Sequence, residues 1–137
     1  MLKLTIVTPE RRLLVNQEVE EVTIPAFRGE LNVLEGHAPL ITTLDTGVIR
    51  WKLKGKERQD MAAISWGYCQ VNPEGVNVLA NIVDLPEEID LAVTKEKLAE
   101  AEKRIMNEFI SEDELNEFSR EMAHARIKIE VAERFIK

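Results

Sequence analysis

Short runs of alternating apolar and polar residues recur along the first 86 positions: Leu2 to Val7, Leu13 to Val15, Val19 to Ile24, Leu31 to Leu34, Leu40 to Leu44, Val48 to Leu53, Met61 to Ile64, Tyr68 to Val71 and Val76 to Val83. In the sixth, Ile49, Trp51 and Leu53 fall on one face and Arg50, Lys52 and Lys54 on the other, as in a strand wetted on one side. Lys54-Gly55-Lys56 and Asn72-Pro73-Glu74-Gly75 carry the residue types that close hairpins. The spacing predicts about ten short strands in an antiparallel β-sandwich or flattened barrel, with partners adjacent in sequence. Cys69 lies in phase with Val71, which turns it inward as a small apolar filler. No Lys, Arg or His stands beside it to stabilise a thiolate.

The period changes after Pro86. From Leu91 the apolar positions Leu98, Ala101, Ile105 and Phe109 step by three and four, predicting one amphipathic helix. Ser111 followed by Glu114 is a capping-box signature, and a second helix is expected from there. Its stripe of Leu115, Phe118, Met122, Ala125, Ile129, Ala132 and Ile136 is strictly heptad-like and calls for a partner. All six glycines and five prolines lie between Pro9 and Pro86, so the breakers stop where the helices begin. The chain therefore divides into a β module (1–86) and a two-helix hairpin (87–137). Glu87 and Glu88 suit a helix's first turn, where the dipole favours carboxylates. The short connection near Ile110 to Asp113 allows an antiparallel hairpin or a straightened arm about 35 Å long for the second helix.

Charge narrows the range of partners. The net charge is −7, and residues 87–137 carry nine basic against fourteen acidic side chains, which argues against nucleic acid. No apolar run approaches the roughly 20 residues that span a bilayer, and Met1 leads straight into strand-like alternation, predicting a soluble chain retained where it is made. One cysteine excludes an internal disulfide or a multi-cysteine metal site. Neither His37 nor His124 has a nucleophile or carboxylate at triad-like spacing, so no catalytic residue and no metal ligand is expected.

The densest motif is Gly29-Glu-Leu-Asn-Val-Leu-Glu-Gly-His-Ala-Pro-Leu40, running on to Gly47. By itself it reads as a strand, a loop tip fixed by Gly36 and Pro39, and a second strand; a loop histidine of purely structural role is one reading of His37. The run resembles the epsilon subunit of bacterial F-type ATP synthases. Val7 to Glu10 is similar to that family's opening strand and turn, Val76 to Ala80 to a later strand, and Ser65 to Val71 to its S-G-G-[FY]-x-x-V segment, with Trp66 where the family has Gly. The resemblance covers the whole chain.

It implies a non-catalytic rotor subunit of the central stalk, held by the gamma subunit and resting on the c ring, on the cytoplasmic side of the bacterial inner membrane. It implies c-ring contact at Glu30 and His37. It further implies a regulatory hairpin that permits turnover when folded and inhibits ATP hydrolysis when extended along gamma towards the alpha/beta hexamer, with Leu115, Phe118, Met122, Ala125 and Ile129 as its seam. Some members bind ATP at the hairpin through an [IL]-D-x-x-R-A motif. Here Ile89 and Asp90 match, Val93 and Thr94 replace Arg and Ala, Glu100 stands at a further arginine position, and Arg126 falls between two others. The phosphate clamp is lost, so no cofactor is expected and ATP binding should be weak or absent. A generic β-sandwich adaptor with a coiled-coil arm accounts for the periodicities without the motif.

Overall fold

The computed structural model describes residues 2–107 and 111–136, with the side chains of 135 and 136 outside the description. The order is β1 (Leu2–Val7), β2 (Arg12–Ala26), β3 (Gly29–Leu34), β4 (Leu40–Leu44), β5 (Gly47–Leu53), β6 (Gln59–Asn72), β7 (Gly75–Asp84), a 3-10 turn (Pro86–Glu88), α1 (Leu91–Asn107) and α2 (Glu112–Ile136). Seven strands replace the expected ten, because the runs read as separate pairs merge into β2, of 15 residues, and β6, of 14.

Each long strand serves both layers of the sandwich. The first half of β2 pairs with β1 and its second half with β3 and β5. The first half of β6 pairs with β5 and its second half with β4, while β7 pairs with β6 from Ala63 to Asn72. Among the described strands β3 pairs only with β2 and forms an edge. Hairpin-linked strands are antiparallel as expected. The exception is β1 with β7, parallel from Lys3↔Gly75 to Val7↔Leu79, since the first and last strands meet with no hairpin to reverse them.

Inside lies one apolar cluster that includes Leu2, Leu4, Ile6, Ile24, Ile49 and Trp51. Cys69 belongs to it, and burial pushes its thiol up to about 12, so it fills space and carries no thiolate. At the β6–β7 turn the Asn72 side-chain oxygen accepts hydrogen bonds from Glu74 N–H (3.0 Å) and Gly75 N–H (2.9 Å), the Asx arrangement its sequence predicts.

The two helices form a folded antiparallel hairpin. Ion pairs Lys95–Glu133 (3.2 Å) and Arg126–Glu102 (3.5 Å) cross it, and the Arg104 guanidinium sits 5.0 Å from the centre of the Phe118 ring. At the start of α2 the Ser111 hydroxyl accepts from Glu114 N–H at 3.2 Å. Phe109 and Ile110, assigned to the first stripe and the connection, lie outside the described residues.

Candidate functional site

Two surfaces and one junction carry the structural possibilities, and each follows from local chemistry. The junction begins at Thr8, whose hydroxyl accepts from Arg11 N–H (3.1 Å) and so closes the β1–β2 turn. That turn aims Arg11 at the 3-10 helix. Arg11 donates to both carboxylate oxygens of Glu88 (2.6 and 2.8 Å) and to the Val83 carbonyl (2.7 Å), while Glu88 also accepts from Leu85 N–H (2.9 Å). A planar fork on a carboxylate is the strongest polar contact available to such side chains. Glu88 thus stands in a first helical turn as expected, that of the short 3-10 helix Pro86–Glu88, and serves there as a clamp member, while α1 starts three residues later. There Asp90 caps α1, accepting from Val93 N–H at 3.1 Å, and the Asp90 carbonyl accepts from the buried Thr94 hydroxyl at 2.7 Å.

The Arg11 fork holds the Glu88 carboxyl down to about 2, with the Leu85 N–H adding to it and burial opposing. A depressed carboxyl contributes stability above its unfolded value of about 4.3 and loses it as pH falls towards the folded value. Both side chains are more than a third exposed, so solvent screening limits the contribution to about 1 kcal/mol or less. In thermal melts at pH 6 the wild type should therefore exceed Glu88→Gln slightly, and the gap should close between pH 4.5 and 2. A gap that persisted at the acid end would refute this role.

The hairpin rests on the β module through a second apolar cluster, separate from the main core. Val131 of α2 is fully buried against Val48 and Ala63, with Ile127, Met61 and Ile89 around them. A polar tie accompanies it: His124 Nε2 lies 2.8 Å from Asp84 Oδ2, and the buried Nδ1 has no partner among the described residues. The stripe of Leu115, Phe118, Met122, Ala125 and Ile129 is not the docking face. Leu115 is exposed and the other four are half-buried, and docking falls to the adjacent line of His124, Ile127 and Val131. Sequence reasoning missed this line because the heptad stripe is the more regular of the two.

Between the helices lies a cleft of about 510 Å³, bordered by Glu88, Asp90 and Glu121 as well as Lys97 and Lys128. Of the three nucleotide candidates only Asp90 lines it. Ile89 packs in the cluster under α2, Asp90 is spent on capping, and Arg126 faces Glu102 on the surface. Three carboxylates against two lysines offer no fork for phosphate. Among the described residues no group of three His, Cys, Asp or Glu could hold a metal ion.

The candidate contact residues Glu30 and His37 stand at opposite ends of edge strand β3. Glu30 accepts a hydrogen bond from Arg50 at 2.7 Å, and His37 Nδ1 lies 2.8 Å from the Ala38 carbonyl. The loop that follows β3 is pinned by Gly36 N–H, which donates to the Pro73 carbonyl (3.1 Å).

A further surface went unread in the sequence. On the outer side of β4, β6 and β7, Ile41, Tyr68 and Leu79 are at least half exposed, Trp66 and Ile82 nearly so, and Tyr68 pairs directly with Leu79. The signal was present: in Trp66-Gly67-Tyr68-Cys69, the large aromatics occupy the wet face. An apolar face of this kind marks an interaction site.

The family model for the ATP synthase Delta/Epsilon chain, beta-sandwich domain, matches residues 1–85. The chain is 73% identical over 132 residues to an ATP synthase epsilon chain of Bdellovibrio bacteriovorus, covering 96% of this chain and 94% of that one. It is 35% identical over 133 residues to ATP synthase epsilon chain 1 of Syntrophotalea carbinolica, covering 97% and 94%. A chain in the cryo-EM structure of Euglena gracilis mitochondrial ATP synthase, OSCP/F1/c-ring in rotational state 1, shares the fold with a TM-score of 0.74 at 24% identity, covering 99% of this chain and 81% of that one. Sandwich, order of parts and full-length identity agree, and the chain belongs to the epsilon subunits of the F-type ATP synthases.

Proposed function

We propose that this protein is the non-catalytic rotor subunit at the foot of the central stalk, in which the β module couples c-ring rotation to gamma and the hairpin regulates ATP hydrolysis. The observation that carries the reading is the separation of two apolar clusters. The main core closes without the helices, whereas the hairpin is held by a few side chains around Val131 and can leave without opening that core. The Arg11–Glu88 clamp ties the 3-10 turn to the strands, so the mechanical division falls at Ile89, just beyond the composition boundary at 86. On release α2 would expose Ile127, Ile129 and Val131 to gamma and the alpha/beta hexamer.

The outer face of β4, β6 and β7 is the surface offered to gamma, because it pairs exposed apolar side chains with a rigid sheet. The ring contact runs along edge strand β3, with Glu30 and His37 marking its two ends. Together these contacts seat the protein on the cytoplasmic side of the inner membrane, as a peripheral part of the complex. No step requires a bound cofactor.

Co-purification tests the sheet face. Tyr68→Glu with Leu79→Arg should abolish retention of gamma while the isolated chain melts near wild type, since both side chains are half-exposed and the new cross-strand pair carries opposite charges. Undiminished retention would exclude this face.

A further inference from the structure

The inward-outward alternation of β6 and β7 slips at one place. Ile64 and Gly67 both lie on the inner side, as do their partners Val83 and Ala80, leaving two residues between on each strand instead of one. Trp66 and Ile82 are extruded there, 48% and 46% exposed. Across from them runs the first half of α2. The result is a groove of about 610 Å³ with Trp66 and Ile82 as an apolar floor and Asp113, Glu117, Glu121 and Arg120 along the helix wall. Its charge is acidic, and Tyr68 of the sheet face lies two residues further along the same strand.

We propose that this groove is a second docking site for gamma, taking a basic amphipathic segment that continues from the sheet face. The inference rests on the assignment of that face to gamma. Continuity supports it: a two-residue step along β6 is about 7 Å, so a segment lying over Tyr68 and Leu79 reaches Trp66 directly. Charge supports it too, because three carboxylates over an apolar floor select apolar side chains flanked by Lys or Arg. One wall belongs to the β module and the other to α2, so the groove exists only while the hairpin is folded. A segment bound there favours the folded, permissive state by its differential affinity for it, and extension requires gamma to let go first.

Binding of purified gamma to the full-length chain tests this. Asp113→Lys with Glu117→Lys, both on an exposed helix face, should weaken binding about tenfold or more and reduce its dependence on salt. Trp51 is buried, so the difference between wild-type and Trp66→Phe emission isolates Trp66. That component should shift to the blue when gamma binds. If Leu79→Arg abolishes binding while the lysine pair and the Trp66 emission change nothing, the groove is empty in the complex and only the sheet face stands. If Leu79→Arg also has no effect, the gamma face itself is wrong. A concentration-dependent Trp66 shift without gamma would assign the groove to a second copy of the chain and overturn the proposal.

Discussion

Gly67→Ala should be among the most damaging single-methyl additions to this protein, lowering stability by about 3 kcal/mol and the melting temperature by roughly 10 °C. Gly67 faces Ala80 where β6 and β7 cross between layers. A methyl group there would clash with the Leu79 carbonyl oxygen and stand 2.8 Å from the Ala80 Cα. Both obstacles are main chain, so no rotamer change relieves them and the strand pair must separate. Gly36→Ala is the comparison. Its methyl meets nothing within 4 Å, and its cost comes only from a φ of 85°, about 1 kcal/mol. Thermal and urea melts of the two variants should differ clearly, and a Gly67→Ala protein within 2 °C of wild type would disprove the close-approach argument.

Val131→Glu should release the hairpin. The side chain is fully buried between Val48 and Ala63, where a carboxylate finds no partner, and α2 undocks sooner than bury the charge. Loss of the valine alone removes about 1.5 to 3 kcal/mol of burial, and with the charge the docked population should fall at least a hundredfold. Hydrogen exchange along the second half of α2 should accelerate while β6 and β7 stay protected, because among the described residues the main core takes none from either helix. Leu115→Glu, at a position already exposed, should leave exchange near wild type. Equal protection in Val131→Glu and wild type would show that the hairpin is held by something other than this cluster. In the assembled enzyme the released arm should deepen inhibition of ATP hydrolysis.

Much of this arrangement is legible in the sequence, and what is not has physical causes. Alternation at Ile49, Trp51 and Leu53 shows which face is wet because a half-buried strand has no other way to sort its side chains. Cys69 in phase with Val71 places it in the core for the same reason. Helix starts are readable from caps, as Ser111 demonstrates. Alternation says little about strand length, since β2 and β6 bend between layers and shift phase there, so each looks like two. It says nothing about the parallel pairing of β1 with β7, which joins residues over 70 positions apart. Arg11 and Glu88 are separated as widely, and no periodicity links them. On α2 two apolar lines compete. The regular one draws the eye, but the one ending at Val131 docks, because the shallow surface of Val48 and Ala63 accepts it. Glu30 and His37 share one motif, yet the extended strand between them puts them at opposite ends.

The division into a coupling module and a releasable regulator is tested most directly by removing the regulator. Truncation after Glu88 keeps the Arg11 clamp and the whole main core. Assembled enzyme carrying the truncated chain should hydrolyse ATP faster than wild type while still coupling hydrolysis to ion pumping. Unchanged hydrolysis with coupling intact would contradict the account, and the hairpin would then be a structural appendage.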